Sequence, residues 1–173
     1  MEVRTATSDD AESMAMLIVP SWLDAHRGQI PAHLWERRRK EWTASDSATA
    51  WARTLSEISA EINARSHIYV ATESGAVVGL VMGMVGPGGR GAIDVLCVVS
   101  GRQRHGLGSR LLSASLDPLR SAGASGVEVV VLAANKPARR FYEALGASYL
   151  GPAELDEDGE LLPGAIYEWP STP

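Results

Sequence analysis

One cysteine in 173 residues excludes an internal disulfide. That residue, Cys97, sits in an apolar run that reads as a strand, where a thiol packs as a small hydrophobe, and no histidine near it in sequence makes it a nucleophile. Long apolar runs are missing too. None reaches the roughly 20 residues needed to cross a bilayer, so no membrane partner is expected. The opening Met1-Glu2-Val3-Arg4 has no signal-peptide character, which makes the cytoplasm the expected location. Excess positive charge is also lacking: with a net charge of −5, the run Arg37-Arg38-Arg39-Lys40 reads as a solvated helix face, and nucleic acid is not expected as a partner. His26, His33 and His67 show no metal-ligand spacing, so no metal is assigned. No internal repeat or low-complexity linker breaks the chain. Its 45% apolar and 21% charged composition suits one domain spanning residues 1–173.

What is present is concentrated between Ile93 and Leu116. An apolar strand (Ile93, Val95, Leu96, Cys97, Val98, Val99) runs into Gln103-x-x-Gly106-x-Gly108 and then into a helix with Leu107, Leu111, Leu112 and Leu116 at helical spacing. A glycine pair alone is weak evidence, because Gly86/Gly88 and Gly89/Gly91 repeat it in a Gly-Pro-Gly-Gly run that reads as a turn. Gly106/Gly108 differ by lying between a strand and a helix, where absent side chains admit a ligand and first-turn amides lack partners. Ser109 and Arg110 follow Gly108 in place of Lys-Ser/Thr, which excludes a P-loop. A dinucleotide fold would place its loop after the first strand, whereas several strands precede this one. A tight strand-to-helix turn without a ligand is the competing reading.

A second motif follows the apolar run Val127 to Leu132. In Asn135-Lys136-Pro137-Ala138-Arg139-Arg140-Phe141-Tyr142-Glu143-Ala144-Leu145-Gly146, Asn135 can cap a helix, Pro137 suits its first turn, Ala138, Phe141 and Leu145 share a face, and Gly146 ends it.

Together, in this order, the two motifs resemble those of the GNAT superfamily of N-acetyltransferases: a glycine loop after the ligand strand, then N-x-x-A-x-x-F-Y-x-x-L-G. The resemblance implies an α/β GNAT fold with a mixed central sheet of about six or seven strands flanked by helices. It implies acetyl-CoA as cosubstrate, with the pyrophosphate on the loop opened by Gln103, at the amides of Arg104, His105, Gly106, Leu107, Gly108 and Ser109. Pantetheine would lie along the backbone of Val98 and Val99, and Ala138 and Phe141 would border the coenzyme. His105 is expected to offer its backbone rather than its ring. Arg102, Arg104 and Arg110 add positive charge suited to three phosphates. Asn135 resembles the residue that reaches the pantetheine amides, and it can cap the helix as well.

Tyr142 is the residue expected to carry chemistry. A departing thiolate benefits from a proton donor, and a phenol supplies one at neutral pH; the resemblance gives Tyr142 that role toward the CoA sulfur, against the alternative of a tyrosine packed beside Phe141. An amine acceptor must lose a proton, and Asp94 is the acidic residue on the ligand strand, placed by alternation on one face with Leu96 and Val98. Counting along the family motif puts the usual glutamate at Ala92, so the base stays open between positions. The same count gives the backbone amide of Leu96 to the developing oxyanion.

Elsewhere a strand is expected at Glu2 to Ala6. A helix with Ala11, Met14, Ala15 and Ile18 on one stripe should end at Pro20 or restart there. A second helix should carry Trp51, Leu55, Ile58 and Ile62. Strands at Ile68 to Thr72 and Val77 to Val85 should form a hairpin through Glu73-Ser74-Gly75. Pro118 predicts a kink or early stop in the leucine-rich helix. Trp22, His26, Trp35, Trp42 and Trp51 fall where the acceptor approaches in related enzymes, although such tryptophans also serve as core. The stretch Asp156-Glu157-Asp158-Gly159-Glu160 should turn between the last strands, its charge either solvated or favouring a cationic amine. The expected activity is acetyl transfer to a primary amine of a small molecule or peptide by direct attack; the alternative is an acyl-CoA-binding module without turnover. The resemblance leaves a homodimer open.

Overall fold

In the computed structural model, residues 1–60 and 65–170 are described. The chain runs β1 (Glu2–Thr5), a 3₁₀ turn (Ser8–Asp10), α1 (Ala11–His26), α2 (Ala32–Glu41), α3 (Ala44–Ser59), β2 (Ser66–Glu73), β3 (Ala76–Val85) and β4 (Gly91–Val98). After a second 3₁₀ turn (Ser100–Arg102) come α4 (Leu107–Ser121), β5 (Gly126–Leu132), α5 (Lys136–Ala144), β6 (Ser148–Glu157) and β7 (Glu160–Pro170). Ile62 lies outside the described residues.

The strands form one mixed sheet of seven, in the order β1-β2-β3-β4-β5-β7-β6. Neighbours are antiparallel except β4 and β5, which are parallel and pair only at Gly91↔Val127 and Ala92↔Glu128. Beyond Ala92 they part. The tight Ser74-Gly75 turn closes the β2-β3 hairpin as expected.

Helices cover both faces. On one, α4 and α5 press Leu107, Leu111, Leu112, Leu116 and Leu119 against Val81, Ile93, Val127, Val129, Tyr167 and Trp169. On the other, α1 and α3 bring Met14, Leu17 and Leu55 onto Ile68, Val70, Val77 and Leu80. Each such side chain, fully buried, stabilises the fold by about 1.5–3 kcal/mol. At the start of α1, the Asp10 carboxylate accepts from both Arg4 guanidinium nitrogens (2.7 and 2.8 Å) and from the Thr7 amide (2.8 Å). The Arg4 contact holds the carboxyl below its ordinary pKa.

Neither proline stops its helix. α1 continues through Pro20, because the carbonyl that the ring deprives of a partner, Met16, lies on the solvent side: Met16 and Pro20 are both exposed, while Leu17, Ile18 and Val19 anchor the same turns. α4 runs three residues past Pro118, its last turn held by buried Leu116 and Leu119.

A second departure sets the site. Met82 pairs with Val95 and Gly83 with Ile93, so Asp94 is an extra residue in β4, a β-bulge. The bulge resets the alternation. Ile93, Leu96 and Val98 face α4 and α5, whereas Val95, Cys97 and Val99 face α1 and α3. Asp94 therefore does not share a face with Leu96 and Val98; it opens beside Met82 on the α3 side.

Candidate cosubstrate groove and acceptor cleft

The parting of β4 from β5 leaves one edge of β4 without a strand neighbour. The Val99 N–H donates to the Val78 carbonyl at 3.0 Å, which fixes the phase of the β3-β4 ladder. Counting back, Cys97 and Val95 also turn their peptide groups toward β3, while Leu96 and Val98 turn theirs into the gap. This corrects one expectation: the backbone of Val99 is engaged, its N–H by Val78 and its C=O by the Arg102 amide at 2.8 Å, so what stays open on this edge is the backbone of Leu96 and the Val98 N–H. The Gln103 side-chain amide donates to the Val98 carbonyl at 3.0 Å and ties the coming loop to that edge.

The loop then coils tightly. Arg104 (φ +60°) and Gly106 (φ +78°) are left-handed, and Gly106 is the residue from which α4 starts. Among the described residues, no acceptor meets the amides of Arg104, His105, Gly106, Leu107, Gly108 or Ser109; the first helical bond is Arg110 N–H to Gly106 C=O at 3.1 Å. A row of donors at a helix N-terminus is suited to an anion. A side chain at Gly108 would begin 3.2 Å from the Phe141 ring, which would then have to shift by a few tenths of an ångström, so glycine suits this close approach of α4 to α5. The exposed His105 ring folds back on its own loop, Nδ1 donating to the Gln103 carbonyl at 2.7 Å, and leaves its backbone N–H free of it. Arg102 departs from expectation: it pairs with Glu73 at 2.6 Å, so the positive charge left to the loop comes from Arg104 and Arg110.

α5 forms the far wall. Asn135 caps it, its Oδ1 accepting from the Ala138 amide at 3.2 Å, which leaves the side-chain NH₂ without a partner among the described residues. Ala138 and Phe141 pack in the same cluster as Leu96 and Val98, with Tyr142 buried at 7% exposure. Tyr142 lies edge-on to Phe141 (5.4 Å between centroids) and Trp169 (5.7 Å), so the packing reading of this residue also holds. Burial pushes its phenol up to about 12. Nearby Tyr167 donates to Glu143 at 2.8 Å and accepts from Arg139 at 3.0 Å. Tyr142 has no hydrogen bond among the described residues.

Across β4 lies a cleft of about 430 Å³ whose walls include Trp42, Asp46, Ala50, Trp51, Met82 and Asp94. Of the residues named for the acceptor region, Trp42 and Trp51 line it, whereas Asp46, Ala50 and Met82 carry no sequence signal and the bulge that delivers Asp94 has none either. Cys97 points to this side but is held as an inert thiol, its pKa raised by burial.

The basic run of α2 divides: Arg39 and Lys40 are exposed as expected, whereas Arg37 and Arg38 meet the β6-β7 turn. Arg37 binds Asp158 at 3.2 Å, Arg38 binds Glu157 (3.2 Å) and Asp158 (3.1 Å), and His33 reaches Glu160 at 2.6 Å. Glu157 and Asp158 of the β6-β7 turn are thus paired with α2 arginines. Arg38 also lies over Trp22 and Trp42, each 5.8 Å from centroid to guanidinium carbon.

Comparison with known proteins agrees with this architecture. A model of the acetyltransferase (GNAT) family matches residues 29–147. The fold superposes on the PaiA N-acetyltransferase of Thermoplasma acidophilum, solved with coenzyme A, at a TM-score of 0.74 with 16% identity over 98% of both chains. A GCN5-related N-acetyltransferase from Rhodopseudomonas palustris gives 0.73 with 20% identity over 98% of this chain and 94% of that one. A candidate streptothricin acetyltransferase from Bacillus anthracis, solved with acetyl coenzyme A, gives 0.56 with 18% identity over 61% and 62%. Among curated proteins, no sequence matches significantly. A strand edge beside a row of free amides defines an acyl-coenzyme A transferase scaffold. The chain belongs to the GNAT acetyltransferase family, and acetyl-CoA is its cosubstrate. Among the described residues, no helix is long and apolar enough to cross a membrane.

Proposed function

We propose that the protein transfers the acetyl group of acetyl-CoA to a primary amine by direct attack. The observation that carries this reading is the run of unsatisfied amides from Arg104 to Ser109 at the point where β4 and β5 have separated. In this reading those amides hold the diphosphate, Leu96 and Val98 pair with the pantetheine arm, and the Asn135 NH₂ adds a donor. Acetyl-CoA supplies an activated thioester. The Leu96 N–H, aimed into the gap, stabilises charge developing on the carbonyl oxygen.

Tyr142 serves as the acid. A phenol held near 12 stays protonated throughout the physiological range. The same dry surroundings raise the basicity of a thiolate released beside it, so the proton passes at the moment of departure. Asp94, exposed at the bulge, receives the proton of the incoming ammonium, directly or through water.

Calorimetry with acetyl-CoA and a thiol-release assay over a panel of primary amines test this. Binding together with amine-dependent CoA release supports the reading. Binding without release over the whole panel would identify a sensing module instead.

A further inference from the structure

The cleft on the α3 side of β4 has a composition that narrows the identity of the acceptor, on the basis that the protein acetylates a primary amine. Its walls are mainly apolar and aromatic, from Trp42, Trp51, Met82 and Ala50. At about 430 Å³ it falls within the roughly 300–1,000 Å³ range of small-molecule sites. Its charge is specific. Asp94 has no hydrogen bond or ion pair among the described residues, whereas in the adjoining β6-β7 turn Glu157, Asp158 and Glu160 face Arg38, Arg37 and His33 and Asp156 accepts from the Gly159 amide. The other acid in the wall, Asp46, accepts from the Thr43 hydroxyl at 2.7 Å as part of the cap of α3. Neither acid in the wall has a cationic partner among the described residues, and of the two only Asp94 has no hydrogen bond to hold it.

We infer that the acceptor is a small monoamine with a flat, apolar body, which stacks within the Trp42-Trp51 walls while its ammonium lies at Asp94. Aromatic walls favour a planar partner over a puckered one of equal size, through face and edge contacts as well as buried area. The unheld Asp94 carboxylate favours one cationic end. A diamine would have to carry its second ammonium to the exposed Asp46 and would leave the apolar walls poorly filled. From Asp94 the nitrogen is two residues along β4 from Leu96, whose amide faces the gap, so the bulge joins the cleft to the groove.

Steady-state kinetics on the intact protein with 2-phenylethylamine, 2-cyclohexylethylamine, 1,6-diaminohexane and a lysine peptide test the inference, alongside calorimetry with acetyl-CoA. The planar amine is expected to exceed each of the others by about tenfold in kcat/KM. Ala50→Trp, which fills the cleft from an exposed helix position, is expected to raise KM for that amine at least tenfold with acetyl-CoA affinity unchanged. If that variant fails to fold, Trp51→Leu and Trp51→Phe take its place, the first abolishing the preference and the second keeping it within about threefold. Equal or better turnover of the cyclohexyl amine, the diamine or the peptide would overturn the inference while leaving acetyl transfer intact, as would an unaltered KM in folded Ala50→Trp. Absence of acetyl-CoA binding to the wild-type protein is a separate signal, and both readings would fall with it.

Discussion

The two sides of β4 are built on different principles. On the α4/α5 side the coenzyme groove is made of backbone: a strand edge released by the parting of β5, a left-handed Gly106, and amides left over at a helix start. On the α1/α3 side the acceptor cleft is made of side chains from α3, the α2-α3 connection, β3 and the β4 bulge. A backbone site tolerates little change in its glycines and caps but needs few particular side chains. A side-chain site can be rebuilt one residue at a time. The contrast explains how one scaffold holds its coenzyme constant while its acceptor varies.

The comparison can be broken most sharply at Gly106. Valine there would have to adopt φ near +78°, a conformation costly for any β-branched residue, and the amide row would lose its aim. Gly106→Val is expected to weaken acetyl-CoA binding by about 10²-fold or more in calorimetry run below a thermal midpoint that the strain, about 1–3 kcal/mol, lowers by several degrees. Next comes Tyr142→Phe, expected to lower kcat by about 10²-fold with KM for acetyl-CoA nearly unchanged; a wild-type rate would give the proton to water.

Tyr142 also has a stability signature. Its folded pKa of about 12 lies above the ordinary value of 10.0, so the native state keeps a proton that the unfolded chain releases. The resulting stabilisation is complete below pH 10 and is lost as pH rises through 12. Between those limits, urea unfolding of the wild type should lose roughly 2–3 kcal/mol more than that of Tyr142→Phe. The smallest effect belongs to the turn paired with α2. Glu157→Gln with Asp158→Asn should leave KM for the best amine within about twofold and lower stability by about 0.5–1 kcal/mol at low salt, since the pairs are partly exposed. A large rise in KM would return that turn to the acceptor site.

The same division decided what could be read from the sequence. Gly106, Asn135 and Gly146 announce turns and caps because their roles depend on local backbone geometry, so the turn after β4, the two helices beside it and the mixed sheet are legible. Val99 was misassigned because its occupation by Val78 depends on ladder phase, which a neighbouring strand sets. Asp94 was put on the wrong face because strict alternation has no place for an inserted residue. Pro20 and Pro118 looked like stops because sequence does not show which side of a helix meets solvent. The pairs Arg102–Glu73 and Arg38–Glu157 join residues far apart in the chain, and no local pattern marks them.

The central claim is that the free amides after β4, with the exposed edge of Leu96 and Val98, are where coenzyme A binds. An amide-resolved ¹⁵N–¹H spectrum titrated with acetyl-CoA tests it directly. The largest shifts are expected at Leu96, Val98 and the run Arg104 to Ser109, with residues of β6 and the outer face of α2 almost still. Saturable binding that leaves Arg104 to Ser109 unmoved would contradict the account.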